Sequence, residues 1–189
     1  MSKLLRIAAF DPSLRNWGMA AGHFVVPSQE LILDDISIIQ PTALEGKQVR
    51  NNSKDLHRAE QLAKGSLEYL RNTNVVFVEV PVGSQSARSM ASYGICVGVL
   101  ASLRAQGIPF IELTPTEIKL AGPGSKTASK RDMIQWAYDQ HPNLPWPFET
   151  KKGVRRIVEG KAEHMADAIA AAHAGKNSDQ FRQLLQLYR

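Results

Sequence analysis

The sequence predicts an α/β domain with a mixed β-sheet, and two observations support this prediction. Three short strand-like segments bounded by turn residues come before the first segment with a helical repeat of apolar residues. Beyond that segment, strand-like and helix-like segments alternate. Three strands, a helix, and then strand, helix, strand and helices is the element order of an α/β domain whose sheet is mixed.

The first three strands are predicted close to the N-terminus. Leu4–Phe10 is short and apolar and ends at Asp11-Pro12, which is typical of a buried strand. Segments 17–26 and 31–39 are also predicted as strands. Turn residues at 27–30 separate them and indicate a hairpin.

The first helix is predicted after a polar, basic stretch at residues 46–54 and runs to about Asn72. The β-branched run 74–80 that follows it is predicted as a central strand. Six apolar residues at helical spacing give the helix its apolar face: Leu56, Ala59, Leu62, Ala63, Leu67 and Leu70.

The second half of the chain is predicted to be mainly helical. Segment 86–106 has the pattern of a helix that Gly107 ends, and 109–113 that of a short strand. The next helix spans 129–140, with Ser129 as its N-cap. Three further segments are a proline-rich loop at 141–148, an alanine-rich helix at 159–175 and a last helix at 178–188. A loop of that length in a compact domain is typically mobile or functional.

Composition is that of one globular domain over residues 1–189, with 43% apolar and 22% charged residues. No apolar run approaches the ~20 residues of a membrane span, and the first residues lack the pattern of a secretory signal. A single cysteine, Cys96, excludes an internal disulfide and a cysteine-only zinc site. The sequence therefore predicts a protein of the reducing cytoplasm with no membrane partner.

The net charge of +5 is concentrated in one part of the sequence. Residues 119–161 contain nine Lys or Arg and four Asp or Glu, so this segment alone carries +5 and the rest is balanced. A basic segment on a neutral body indicates a polyanionic partner such as nucleic acid. A solubilising surface is the alternative.

Two acidic residues stand where the pattern predicts buried strands. Asp11 ends the first strand, and Glu79 lies inside the run Val75–Val80. A central strand covered on both faces has no solvated side, and a buried carboxylate normally pairs with a cation or binds a metal. Each residue alone has the alternative of a position at the rim of the sheet.

A third group of polar residues lies on the alanine-rich helix. His164 and Asp167 are three residues apart and share one face of it. The small residues around them allow the helix to lie close to the sheet, which would bring this pair towards Asp11 and Glu79. Carboxylates suit Mg²⁺ or Mn²⁺, and two such ions can activate a water at a phosphodiester. Glu163 is expected on a different, solvated face, and an ordinary helix histidine is the alternative for His164.

These residues lie in segments that resemble the RuvC-type Holliday junction resolvases, a branch of the RNase H-like nuclease superfamily. Segment 9–18, Ala-Phe-Asp-Pro-Ser-Leu-Arg-Asn-Trp-Gly, is similar to the family's first strand and its Asp-Pro-Gly-x-Arg turn, with Ser13 in place of the glycine. Segment 76–79 is similar to the strand that carries the second acid, and segment 86–103 to the helix after it.

Two later segments continue the resemblance, which covers about residues 5–175. Segment 116–130 is similar to the basic stretch that contacts the junction. Segment 164–170 is similar to the final acidic helix, whose first position is Asp in some members and His in others. The resemblance implies an RNase H-like fold with a five-stranded mixed sheet flanked by helices. It also implies a homodimer, because a four-way junction has two-fold symmetry and needs two opposed cuts.

The activity that the resemblance implies is structure-selective, metal-dependent cutting of four-way and other branched DNA. Paired nicks would leave 5′-phosphate and 3′-hydroxyl ends. Bacterial members often carry an aromatic residue after the second acid, and segment 80–85 has none. That difference and the basic stretch at 46–58 are more similar to the resolvase-like enzymes of bacteriophages.

The resemblance also assigns roles to residues. Asp11, Glu79 and Asp167 are predicted to bind one or two Mg²⁺, for which Mn²⁺ substitutes; His164 is predicted either to ligate the second ion or to position the water. The predicted DNA-binding residues are Lys119, Lys130, Lys126, Arg15, Ser84, Gln85 and Arg88. Lys126 has the alternative of a solvated loop lysine, and Arg15 that of holding the turn after Asp11.

Other interpretations remain open from the sequence. Lys151, Lys152, Arg155 and Arg156 either follow a DNA arm or form a plain basic loop. Trp146 and Phe148 either stack on an unpaired base or pack in the core; Trp17, Met133 and Trp136 are assigned to packing. The whole chain has two main alternatives, another RNase H-like nuclease that acts on flaps or RNA–DNA hybrids and a non-catalytic junction-binding scaffold.

Overall fold

The structure is a computed structural model that describes residues 4–46 and 48–188; residues 1–3 and Lys47, part of the predicted basic stretch, lie outside it. The main sheet is built from β1 (Leu4–Asp11), β2 (Trp17–Val25), β3 (Glu30–Ile39), β4 (Val75–Glu79) and β5 (Phe110–Leu113). Their order is β3-β2-β1-β4-β5. The first three strands pair antiparallel, and β1, β4 and β5 pair parallel. The predicted five-stranded mixed sheet is confirmed.

Helices and a separate hairpin surround this sheet. The helices of the described residues are α1 (Asn51–Tyr69), α2 (Ala87–Arg104), α3 (Pro115–Ala121), α4 (Lys130–Gln140), α5 (Glu159–Lys176) and α6 (Asp179–Gln186). The hairpin consists of β6 (Phe148–Lys151) and β7 (Val154–Ile157). None of the helices in these ranges is both long and apolar enough to cross a membrane.

Two elements were not predicted. Helix α3 begins at Pro115 with a capping box, in which Thr114 accepts from the backbone of Glu117 and the Glu117 carboxylate accepts from Thr114. The pattern was therefore present, but seven residues are too few to show a helical repeat. The hairpin turns at Lys152-Gly153, which both have positive φ values (52° and 76°). Lysine is rare in that conformation, so the turn leaves little signal in the sequence.

The sheet has a hydrophobic core on each face. One core lies under α1 and α2 and includes Phe10, Trp17 and Leu62. The other lies under α4, α5 and α6 and includes Phe77 and Phe181. We refer to these as the α2 face and the α5 face of the sheet. Successive residues of a strand point to opposite faces, so the buried side chains of β1 and β4 alternate between the two cores.

Helix α1 differs from the prediction in the surface that it buries, and helix α2 agrees with it at Cys96. The predicted apolar face of α1 is wider than the surface that it buries: Leu62 and Leu70 are buried, but Leu56 is 72% exposed and Leu67 is also exposed. On α2, Cys96 is buried as predicted, and burial raises the pKa of its thiol to about 12.

Helix α5 approaches the sheet more closely than ordinary side chains would allow. Seven of its alanines are buried, so the helix meets its neighbours in the sheet and in α3 and α4 through single methyl groups. At two positions even a methyl group has no room. A Cβ on Gly18 of β2 would lie 2.1 Å from the carbonyl oxygen of His164, and one on Gly175 would lie 2.1 Å from the ring of Phe77. The prediction that small residues bring α5 close to the sheet is confirmed.

Candidate active site

Asp11 and Glu79 lie side by side because of the sheet register. Phe10 pairs with Val78 in the parallel ladder, so the next residues on the two strands are Asp11 and Glu79. On both strands, the residues two and four positions before the acid belong to the core of the α5 face. Phe77, two residues before Glu79 on β4, is an example. The period of two therefore directs both carboxylates to the α5 face, at the carboxyl ends of their strands.

His164 and Asp167 reach the same place from α5. The Nδ1 atom of His164 lies 2.6 Å from Oδ2 of Asp11, a hydrogen bond between residues 153 positions apart. Gly18, the residue that pairs with Asp11 on β2, provides the gap that admits the backbone of His164. The four residues that sequence predicts to be catalytic are thus brought to one end of the sheet.

The proximity of these acids raises two pKa values. Burial and the charge of Asp11 raise the pKa of Glu79 to about 7, although Lys119 and His164 act in the opposite direction. Burial, then the charges of Asp11 and Glu79, raise the pKa of Asp167 to about 8. These carboxylates repel one another in a place that is poorly solvated, which is typical of functional sites.

The same carboxylates favour the protonated, cationic form of His164. Burial lowers its pKa, but the hydrogen bond and charge of Asp11, with Glu163 and Asp167, outweigh burial, and the net shift is upward. A raised pKa keeps the imidazole protonated to a higher pH than usual. In that state both ring nitrogens donate, and Nδ1 donates to Asp11.

The donor set fits a hard divalent cation in its chemistry. Several partly buried carboxylates without enough cations to balance them are the ligands that Mg²⁺ and Mn²⁺ prefer. Their mutual repulsion is the observation that supports this fit, because a divalent cation would relieve it. Within residues 4–46 and 48–188, however, no three His, Cys, Asp or Glu side chains already surround one point as ligands. One oxygen of Asp11 is taken by His164.

Glu163 corrects the sequence prediction, which placed it on a solvated face. It is only partly exposed, its Oε2 lies 2.7 Å from Nζ of Lys130, and its Oε1 lies 3.5 Å from Nε2 of His164. A chain of charged groups therefore connects Lys130, Glu163, His164 and Asp11.

The three predicted DNA-binding lysines differ in how they interact with the acids of the site. Lys119 on α3 is near enough to Glu79 to lower the pKa of that carboxyl group. Lys130, at the start of α4, holds Glu163, which raises the pKa of the lysine. Lys126 is fully exposed in the loop between these helices. Their contact with DNA stays a prediction.

The other predicted DNA-binding residues lie on the α2 side of the site. Arg15 is exposed in the turn after Asp11, and Ser84 and Gln85 are exposed before α2. Arg88 has a structural partner: its guanidinium is bidentate on the buried carboxylate of Asp55, at 2.6 and 2.8 Å, and ties α2 to α1. Arg88 is still half exposed beside Arg15.

Tyr93 is a residue of this cleft that sequence reasoning missed. The cleft has a volume of about 270 Å³, and Tyr93 lines it together with Asp11, Glu79 and Pro81. The same ring also lines the neighbouring groove that contains Arg15. The signal was weak, because one tyrosine in an amphipathic helix is usually a packing residue. Trp146, in contrast, is buried and donates through Nε1 to the carbonyl of His141, so it packs rather than stacks on a base.

Comparison with known proteins identifies the fold. No protein-family model matches the sequence, and no curated protein matches it. Two solved structures of Thermus thermophilus RuvC are similar, one of them in complex with a Holliday junction substrate. They are 20% and 21% identical, with a TM-score of 0.60 over 90% of this chain and 92% of that chain.

A viral protein is similar as well, with lower sequence identity and a lower TM-score. The fowlpox virus resolvase, in complex with its substrate Holliday junction DNA, is 15% identical, with a TM-score of 0.52 over 97% of this chain and 99% of that chain. These proteins differ from the present chain in most of their residues, yet they share its sheet and its flanking helices over nearly the whole length. The chain therefore has the RNase H-like fold of the RuvC-type Holliday junction resolvases.

Proposed function

We propose that this protein is a metal-dependent endonuclease that cuts four-way DNA junctions and other branched DNA. The observation that carries the proposal is the convergence of Asp11, Glu79, His164 and Asp167 at one end of a sheet with the RuvC fold. The solved structures with this fold include two complexes with Holliday junction DNA. Cleavage is proposed to leave 5′-phosphate and 3′-hydroxyl ends.

The residues divide the work of phosphodiester hydrolysis. Asp11, Glu79 and Asp167 would hold one or two Mg²⁺, which when bound would supply an activated water and stabilise charge on the scissile phosphate. His164 orients Asp11 through Nδ1 and presents its other nitrogen towards Glu163. His164 would in addition either ligate the second ion or position the water. Lys119 and Lys130 bring positive charge to the phosphate beside the carboxylates.

The experiment that tests the proposal compares cleavage of four substrates with and without Mg²⁺. They are an immobile four-way junction, a flap, an RNA–DNA hybrid and a linear duplex, each labelled on every strand in turn. We expect Mg²⁺-dependent, paired nicks at symmetrical positions of the junction and little cutting of the duplex. Cutting of the flap or hybrid alone would keep the nuclease and reject the resolvase. Binding without any cutting in Mg²⁺ or Mn²⁺ would favour the scaffold.

The proposed enzyme acts as a homodimer, since two symmetrical nicks need two sites. The exposed face of α2 suits contact between two copies, because Met90, Gly94, Val97 and Gly98 form an uncharged exposed row on it. We expect Val97→Glu to give a monomer by light scattering and to uncouple the two nicks. Leu187→Glu, which also charges an exposed apolar residue, is the control and should leave a dimer. A monomeric wild-type protein, or a dimeric Val97→Glu variant, would reject this interface.

The contribution of Glu79 and Asp167 to metal-free stability should fall as the pH rises. Glu79 and Asp167 have raised pKa values of about 7 and about 8, so the folded protein keeps protons that the unfolded chain has already released. Their contribution is present below about pH 4 and is lost as the pH rises through 7 and 8. We expect Asp167→Asn to have a melting temperature roughly 5 °C above wild type at pH 8 without divalent cations, and a smaller difference at pH 5.

Calorimetry of both proteins, with and without Mg²⁺, checks this prediction. Comparing the two proteins cancels the other titrating groups, such as His141 and His173, whose lowered pKa values act in the opposite direction. Mg²⁺ should stabilise the wild type more at pH 8 than at pH 5, because it competes with protons for the carboxylates. Equal stabilisation by Mg²⁺ at both pH values would contradict the assignment of the ligands.

A further inference from the structure

We propose that the β6–β7 hairpin is a DNA-binding arm that holds the backbone of a duplex next to the cleaved strand. The inference rests on the proposed function and extends it to a surface outside the site. The hairpin follows the proline-rich loop and leads directly into α5, the helix that carries His164. It adds no strand to the main sheet, and almost all of its residues between Glu149 and Arg156 are exposed.

The root of the hairpin is fixed to the body of the protein. Phe148 and Ile157 face each other across the two strands, and both pack against the core of the α5 face. Below them the Val158 N–H donates to the Pro147 carbonyl at 2.8 Å and closes the loop. Trp146, which is buried, holds the segment that precedes the hairpin. The arm therefore starts from a rigid base.

The tip of the hairpin carries positive charge that no acid balances. Arg156 is paired with Glu149 across the strands, at 2.7 Å. Within the described residues, Lys151, Lys152 and Arg155 have no acidic partner. Arg155 lies with its guanidinium carbon 3.9 Å from the centre of the Phe148 ring, which fixes the cation without neutralising it. Exposed cations on a narrow projection, one of them held by an aromatic ring, suit a polyanion.

The position of the arm relative to the site indicates which phosphates it reaches. Val158, at the base of the hairpin, lies six residues before His164, or ~9 Å along α5 at ~1.5 Å per residue. Four strand residues carry the tip ~13 Å beyond the root. The tip cations thus lie no more than ~22 Å from His164, which corresponds to about six base-pair steps of ~3.4 Å along the axis of a duplex. A duplex arm that leaves the branch point would bring its backbone to this distance.

A binding experiment without divalent cations tests the arm separately from cleavage. The variant Lys151→Ala/Lys152→Ala is compared with wild type on a four-way junction over a series of salt concentrations. Loss of two phosphate contacts should reduce the slope of log K against log salt by about 1.8 and weaken binding on the order of tenfold near ~0.1 M salt. The control Lys64→Ala/Arg71→Ala removes two exposed cations from α1 and the turn after it, and should leave the slope unchanged.

A second arm of the experiment locates the contact. Methylphosphonate groups replace the phosphates five to seven steps from the cleavage point. We expect this neutral patch to weaken binding of wild type but to add little to the effect of the variant, because both changes remove the same contact. Both substituted lysines are exposed, so we expect the variant to keep the melting temperature of wild type. That measurement shows whether folding is intact.

Four outcomes would decide the matter. An unchanged salt slope in the variant, or fully additive effects of the variant and the neutral patch, would overturn the arm whatever the cleavage assay gives. If the variant has a smaller slope than wild type but the wild-type protein cuts no substrate, the result would support the arm and reject the proposed nuclease. Equal loss of affinity for a single-stranded RNA and for the junction would overturn the assignment to a duplex arm.

Discussion

Asp11→Asn is expected to reduce Mg²⁺-dependent junction cleavage on the order of a thousandfold while the protein stays folded. Asparagine has the same shape, and its Oδ1 can still accept the hydrogen bond that His164 donates from Nδ1. The change therefore removes the negative charge and little else. Asp11 joins the sheet to α5, because it ends β1 and accepts the hydrogen bond from His164.

The same substitution should make the metal-free protein more stable. The charge of Asp11 contributes to the raised pKa values of Glu79 and Asp167. Without that charge both carboxyl groups ionise at lower pH, and the stability lost between pH 5 and 8 becomes smaller. A variant that is inactive but more stable indicates a site whose repulsion is retained for function.

Cleavage rates and melting temperatures at pH 8 check both parts. Glu112→Gln is the control, because it removes a carboxylate from the neighbouring strand β5 where its partner is the exposed Arg104. It should leave cleavage within about twofold of wild type, in line with the small value of a surface ion pair. If Asp11→Asn retained more than about a tenth of the wild-type rate, Asp11 could not be the central ligand.

Gly18→Ala is expected to destabilise the fold by roughly 3 kcal/mol or more and to displace His164. The new methyl group would lie 2.1 Å from the carbonyl oxygen of His164. That atom belongs to the backbone of a long helix, so it cannot rotate away as the end of a side chain would. Relief requires α5 to move from β2, which separates His164 from Asp11.

The melting temperature should fall by roughly 6–12 °C, and junction cleavage should fall with it at temperatures where the variant is still folded. Gly160→Ala is the matched control on α5 itself: a Cβ there meets nothing within 4 Å. Because alanine is the better helix former, this control should be neutral or more stable by up to about 1 kcal/mol. A Gly18→Ala protein with wild-type stability and activity would show that the close approach does not position the site.

Much of the fold could be predicted because its patterns are local. The apolar run that ends at Asp11, the β-branched run that contains Glu79 and the alanine-rich helix each have a pattern that is visible within a few residues. The errors occurred where that local signal was weak. Helix α3 is too short to show a repeat, and the turn of the β6–β7 hairpin uses a lysine with φ of 52° where Asn or Gly would be recognisable.

The sequence by itself determined the order of the five sheet strands, the order of the described helices other than α3, and the types of residue at the site. An acid at the end of a buried strand is costly unless it is used, and that cost is visible in the sequence. Only the tertiary structure decided which groups meet. The Lys130–Glu163 ion pair, the bidentate Arg88–Asp55 pair and the place of Tyr93 in the cleft depend on how elements distant in sequence pack. Side-chain pairing across such distances is set by the close approach of α5 to the sheet, and no local pattern encodes it.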